Sequence, residues 1–208
     1  LVQESVLREK KTEKSHIHCA ALTPEEAYVC LVDVGTDEIL VYAADSLELV
    51  DTVKFPEGSG PRHIVFSSKG SYAYVITESS SEVFLMAYTP EQERKLVILG
   101  SNSTEPVGFG GAAGIRISPG ERFVLASNRN ADSISVFQIR ENGWLRLVHN
   151  EIVPCGCPRD FQFTPDGKWV IVGLQTTDRL AVYKFNENGT MEQVSFVDEI
   201  ERPTCIVF

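Results

Sequence analysis

The sequence predicts an all-β protein assembled from repeated four-stranded units, the pattern of a β-propeller. Three observations predict it. A short apolar segment recurs as HCAAL (18–22), RHIVF (62–66), AGIRI (113–117), RDFQF (159–163) and TCIVF (204–208). Its copies start 44, 51, 46 and 45 residues apart, close to the roughly 40–50 residues of a propeller blade. The first four copies are each followed by three more β-type segments in the same order, whereas a β-sandwich has no need of strands that repeat in fixed order.

Each element of the unit has its own reason. The first segment is closed by a turn, TPEE, SSKG, SPGE or TPDG, built from Pro, Gly, Ser and acidic residues that suit tight reversals. The second segments, AYVCLVD, SYAYVIT, RFVLASN and KWVIVGL, are nearly continuous apolar runs, as expected of strands covered on both faces. The third, DEILVY, EVFLMAY, SISVFQI and RLAVYKF, are rich in β-branched and aromatic residues. The fourth, LELVDTVKF, KLVILGS, LRLVHNEI and MEQVSFVDEI, are more polar and read as outer strands.

The count leaves TCIVF as a fifth first strand without followers. An isolated strand has unpaired edges, and in a propeller a C-terminal strand commonly completes a blade begun at the N-terminus. No partner strands precede His16. We therefore expect residues 1–208 to be one propeller domain, about four C-terminal blades plus a closing strand, whose N-terminal blades are absent. A self-closed small propeller, or repair by a second chain, are the alternatives. Open blade edges also offer a route to dimerisation.

The chain has 208 residues and a net charge of −10. A broadly acidic surface repels a phosphate backbone, so nucleic acid is not expected as a partner. No apolar run approaches the roughly 20 residues that span a bilayer, and Leu1 to Lys14 lack the apolar core of a signal peptide. The five cysteines, Cys19, Cys30, Cys155, Cys157 and Cys205, are odd in number and irregularly spaced, which argues against a disulfide framework. These features point to a reducing, cytoplasmic setting and no membrane. Cys155-Gly-Cys157 lacks the further Cys or His pair of a good metal site, and Gly108-Phe-Gly-Gly-Ala-Ala-Gly114 lacks the Lys-Ser/Thr ending of a phosphate loop. Neither metal nor cofactor is expected.

Aligning the units brings distant polar residues into register. The first strand opens on His18, Arg62, Ala113, Arg159 and Thr204; the position after the second strand is Val34, Glu78, Arg129 and Gln175. The two strands are antiparallel neighbours, so these positions share one edge of each blade. If the first strands line the channel, residues from 18 to 175 meet as a ring around one mouth. Arginine forks suit carboxylate or phosphate oxygens, and neutral His can take a proton from water near neutral pH. The ring reads as a pocket for a small anion. His16 and His63 flank it, while His149 falls on an outer strand and is expected to face solvent.

Four stretches carry a resemblance to a known family: HIHCAALTPEEAYVCLVDVGTDEILVY, GPRHIVFSSKGSYAYVITE, ASNRNADSISVF and PRDFQFTPDGKWVIV. The sequence resembles the propeller lactonases, which include bacterial 6-phosphogluconolactonase and the fungal carboxymuconate lactonizing enzyme. The resemblance implies a seven-bladed propeller and site residues His18, Arg62, Glu78 and Arg129, the same four that the ring contains. It implies a hydrolase of carbohydrate metabolism, in the pentose phosphate pathway, acting on a phosphorylated or carboxylated sugar lactone. His18 is then the expected base and Glu78 its helper. Arg62 and Arg129 are expected to bind the anion or the developing oxyanion, and Arg159, Gln175, His16 and His63 to bind substrate. The alternatives are a non-catalytic propeller binding an anionic metabolite or a protein partner, and a lactonizing step on a dicarboxylate.

Overall fold

A computed structural model describes residues 14–105, 110–154 and 156–208. The polar leader Leu1 to Glu13, the start of the glycine-rich run at Gly108 and the thiol of Cys155 lie outside them. The described residues form sixteen strands in four antiparallel meanders. Blade one holds β1 (Ile17–Leu22), β2 (Tyr28–Asp33), β3 (Glu38–Ala43) and β4 (Leu49–Lys54). Blade two holds β5 (Pro61–Phe66), β6 (Tyr72–Thr77), β7 (Glu82–Tyr88) and β8 (Leu96–Ser103). Blade three holds β9 (Ala112–Ile117), β10 (Phe123–Asn128), β11 (Ser133–Ile139) and β12 (Leu145–Ile152). Blade four holds β13 (Pro158–Phe163), β14 (Trp169–Leu174), β15 (Arg179–Phe185) and β16 (Met191–Val197). Among the described residues no helix is long and apolar enough to cross a membrane.

The same turn joins first to second strand in every blade, and its chemistry explains the TPEE-type sequences. The backbone N–H of Glu26, Gly70, Glu121 and Gly167 donates to the carbonyl of Thr23, Ser67, Ser118 and Thr164 respectively. The hydroxyl of that opening Thr or Ser then accepts from the N–H that starts the second strand, as Thr23 does from Tyr28 and Thr164 from Trp169. All four closing residues have φ between 53° and 70°, which two of the four blades accommodate with glycine.

Packing follows the two-residue period of the strands. Val75 and Met86 face blade one, where they join Val32 and Val41. The neighbours of Val75, Tyr74 and Ile76, face blade three and meet Val124, Ala126 and Phe137. In blade three, Leu125 and Val136 turn instead to Phe161, Val172 and Tyr183 of blade four. Central strands thus serve two interfaces, which accounts for their unbroken apolar runs; β10 is buried at every residue. The outer strands alternate, with Leu96 buried beside Val97 and Leu99 at 42% and 43% exposure. The innermost strands stand side by side, β1 against β5, β5 against β9 and β9 against β13.

The expected closing strand behaves differently from the other first strands. Thr204 to Phe208 carries no ladder pairing. Its Ile206 N–H donates to Asp160 Oδ2 at 2.9 Å, and Val207 and Phe208 are 80% and 70% exposed. An innermost strand draws its ladder bonds from the second strand of its own sheet, and among the described residues this segment has no such neighbour.

Candidate active site at the inner-strand rim

A β-bulge creates the site in each blade. The β1–β2 ladder slips between Ile17 and Cys19, leaving His18 as the extra residue; Arg62 and Arg159 occupy the same slip in the β5–β6 and β13–β14 ladders. In blade three, Ala113 and Gly114 oppose Ser127 alone, and the Ser127 hydroxyl accepts the freed Gly114 N–H. A bulged residue is released from strict alternation, so its side chain is re-aimed. The residue after the second strand is pinned beside it by a recurring backbone bond: Val34 to His16, Glu78 to Gly60, Arg129 to Gly111 and Gln175 to Cys157. The two sets that sequence register aligned are therefore fastened together in space.

Three of the expected residues form one network. Glu78 accepts from Arg62 Nε through Oε2 and pairs with Arg129 Nη2 through Oε1, both at 2.9 Å. Burial opposes ionisation of Glu78, but the two arginines outweigh it and hold the carboxyl below its usual range. Arg62 is 2% exposed. Its Nη1 donates to the Ala113 carbonyl at 2.7 Å, so its guanidinium is held inside the protein and is not presented to solvent. Burial brings its ordinarily very high pKa down to about 10, still protonated at neutral pH. Arg129 Nε donates to the Gly111 carbonyl.

The histidines stand next to this network. His18 Nδ1 lies 3.1 Å from His63 Nε2, and the rings are tilted by 59°. Burial, assisted by Arg62, lowers His18 to about 4 and His63 to about 3, so both are neutral at physiological pH. His16 is exposed on the approach to β1, its backbone N–H bonded to Asp33 Oδ1. His149 is half-buried on its outer strand and pairs with Glu151.

Blade four supplies a looser pair. Arg159 Nη1 reaches Gln175 Oε1 at 3.5 Å, and the Cys157 thiol approaches the same oxygen at 3.8 Å. Deeper along the inner strands lies a pair that sequence register did not single out, Arg116 Nη2 to Asp160 Oδ1 at 2.8 Å, with Asp160 4% exposed. The signal was present: a lone Arg in AGIRI and an Asp in RDFQF on adjacent apolar inner strands. An open cleft of about 1020 Å³ lies at the other end of the strands, lined by the first turns of blades two and three, away from these groups.

The comparison with known proteins agrees with this architecture. The model of the seven-bladed β-propeller lactonases matches residues 2–208. The chain belongs to the lactonase propeller family. It is 35% identical over 161 residues to the 6-phosphogluconolactonase of Bacillus subtilis, covering 75% of this chain and 46% of that protein. It is 38% identical over 167 residues to an uncharacterized protein of Staphylococcus saprophyticus, with 74% and 46% coverage. Among solved structures, the periplasmic gluconolactonase of Pseudomonas aeruginosa superimposes with a TM-score of 0.84 at 30% identity, over 92% of this chain and 56% of that one. The chain thus spans just under half the length of the curated relatives it matches.

Proposed function

We propose that the protein hydrolyses a sugar-derived lactone bearing a phosphate or carboxylate, 6-phosphogluconolactone above all, a step of the pentose phosphate route. One observation carries the reading: a neutral, bulge-presented His18 stands within the field of Arg62, Arg159 and Glu78, with Arg129 paired to the same Glu78. Glu78 neutralises only one of the two arginines it holds, and Arg159 adds a further cation beside a neutral amide. The names of the Bacillus and Pseudomonas relatives support the lactone as the reacting group.

In this reading His18 accepts a proton from water, and the hydroxide formed attacks the lactone carbonyl. The tetrahedral oxyanion is stabilised by the fixed positive field of Arg129 and of Arg62 behind it. Collapse breaks the ring C–O bond, and the departing alkoxide recovers the proton from the His18 imidazolium, giving the open acid. Arg159 and Gln175 hold the anionic arm. An imidazole whose pKa is about 4 is a weak base. Burial is the main cause of that depression; an incoming anion offsets the added effect of Arg62 and Arg159 and moves the pKa part of the way back toward the working pH. Arg62 orients Glu78 and His63 and touches no substrate.

The test is hydrolysis of 6-phosphogluconolactone, corrected for spontaneous opening, beside a His18→Ala variant. The variant is expected to lose roughly 10²–10⁴-fold in rate. No turnover above background by the unaltered protein would overturn the activity, and undiminished turnover by the variant would overturn the role of His18.

A further inference from the structure

We infer that His63 is a positioning residue that fixes the His18 ring in its Nδ1–H tautomer and so leaves His18 Nε2 unprotonated. The assignment of the proton stands on the geometry of three nitrogens and the burial of both rings; its catalytic meaning rests on the hydrolase reading above.

Three nitrogens converge on one hydrogen-bonding position. His63 Nε2 lies 3.1 Å from His18 Nδ1 and 3.4 Å from Arg62 Nη1. A guanidinium can only donate, and Arg62 cannot swing away. Its Nε is held by Glu78 at 2.9 Å and its Nη1 by the Ala113 carbonyl at 2.7 Å, and the side chain is 2% exposed. A proton on His63 Nε2 would point an N–H dipole into a fixed cation. With that nitrogen bare, it accepts from the guanidinium, and the bond to His18 requires the proton on His18 Nδ1. A neutral imidazole carries one N–H, so Nε2 of His18 keeps its lone pair, which is what a general base requires.

The arrangement depends on the position after the bulge. That position is Cys19, His63, Gly114 and Asp160 in the four blades, so blade two alone among the four places a ring beside the bulged residue of its neighbour. Burial keeps both rings neutral, removing the alternative in which a second proton occupies the gap. A chain of bonds then runs from Glu78 through Arg62 and His63 to His18, and His63 itself is excluded as the base because its Nε2 is already engaged.

The experiment is long-range ¹H–¹⁵N correlation spectroscopy of the ¹⁵N-labelled protein at neutral pH. His18 is expected to show a pyrrole-type Nδ1 and a pyridine-type Nε2; the opposite assignment would overturn the inference. Two variants sharpen it. His63→Gln keeps an acceptor oxygen near the position of Nε2 and should preserve the Nδ1–H form. His63→Phe removes the acceptor and should return His18 to the intrinsically favoured Nε2–H form; persistence of Nδ1–H in a folded His63→Phe protein would sink the assignment. In a turnover assay, kcat should fall by up to about 10²-fold in the Phe variant and recover in the Gln variant, with KM unchanged. The spectra require no turnover, so an inactive protein with the expected tautomer would refute the hydrolase reading and leave this inference standing.

Discussion

Blades two and four hold the arginines of the same bulge register in opposite ways. In blades two and three, Arg62 and Arg129 share Glu78 and are tied to the carbonyls of Ala113 and Gly111. In blade four, Arg159 occupies the same bulge register as Arg62, and its side-chain hydrogen bond among the described residues goes to a neutral amide at 3.5 Å. Equal positions in a repeat have thus diverged through their partner after the second strand, Glu78 in one blade and Gln175 in the other. A carboxylate converts an arginine into framework, whereas an amide leaves its charge for a ligand.

The largest expected effect separates these two roles. Arg62→Ala leaves Glu78 half-partnered and strands the Ala113 carbonyl inside the protein, and should cost about 3 kcal/mol in urea unfolding. Arg159→Ala should change stability by no more than about 0.5 kcal/mol yet weaken binding of an anionic lactone by about 10–100-fold. If Arg62→Ala unfolds no more readily than Arg159→Ala, the distinction between framework and ligand arginine fails.

Acid should act on the buried rings next. His18 and His63 have folded values of about 4 and about 3 against an ordinary 6.5. Below 6.5 the unfolded chain takes up protons that the folded rings refuse, so the unfolded state binds more protons and stability falls with falling pH. The loss should begin near 6.5, deepen to about 3 and flatten below it. In His63→Phe the decline should be shallower and should level off nearer 4, the value of the remaining ring. Thermal melts across this range check it; equal slopes in the two proteins would mean that His63 is not buried as a neutral ring. If His18 is the base, kcat/KM should be flat near neutrality and drop as pH falls through about 4.

How much of this was legible from residues alone differs between fold and site. The period and the order of the four segments gave the blades, because alternating packing on two interfaces leaves a mark on every strand. Register then placed Arg62, Glu78 and Arg129 together. It did not reveal that His18, Arg62 and Arg159 are bulged, since a bulge is a property of pairing and has no residue signature here. Nor did it reveal that Arg62 is sealed inside the protein, because burial of a long charged side chain depends on the partner that reaches it. The Arg116–Asp160 pair was readable as two charges on apolar inner strands but falls outside the register that selected the others. TCIVF matches the first-strand pattern in composition, and pattern alone cannot supply the neighbouring strand that a ladder needs.

The smallest expected effect concerns the loops that set the ring's edge. The residue before the third strand has positive φ in all four blades: Asp37, Ser81, Asp132 and Asp178. The three aspartates use their carboxylates to hold the chain on its way onward, as Asp37 does for the N–H groups of Gly58 and Gly60, and Asp132 for Cys157 at 2.8 Å. Ser81 is too short to do so, and its buried hydroxyl finds no partner among the described residues. Asp132→Ala should therefore cost about 1–2 kcal/mol through lost charge-assisted bonds, while Asp132→Asn, which keeps an acceptor and tolerates this backbone, should cost less. Ser81→Ala removes an unsatisfied hydroxyl and should be neutral or stabilising by up to about 1 kcal/mol. A clear loss in Ser81→Ala would mean that blade two also anchors its outgoing chain through this side chain, and the blades would then differ less than the aspartates suggest.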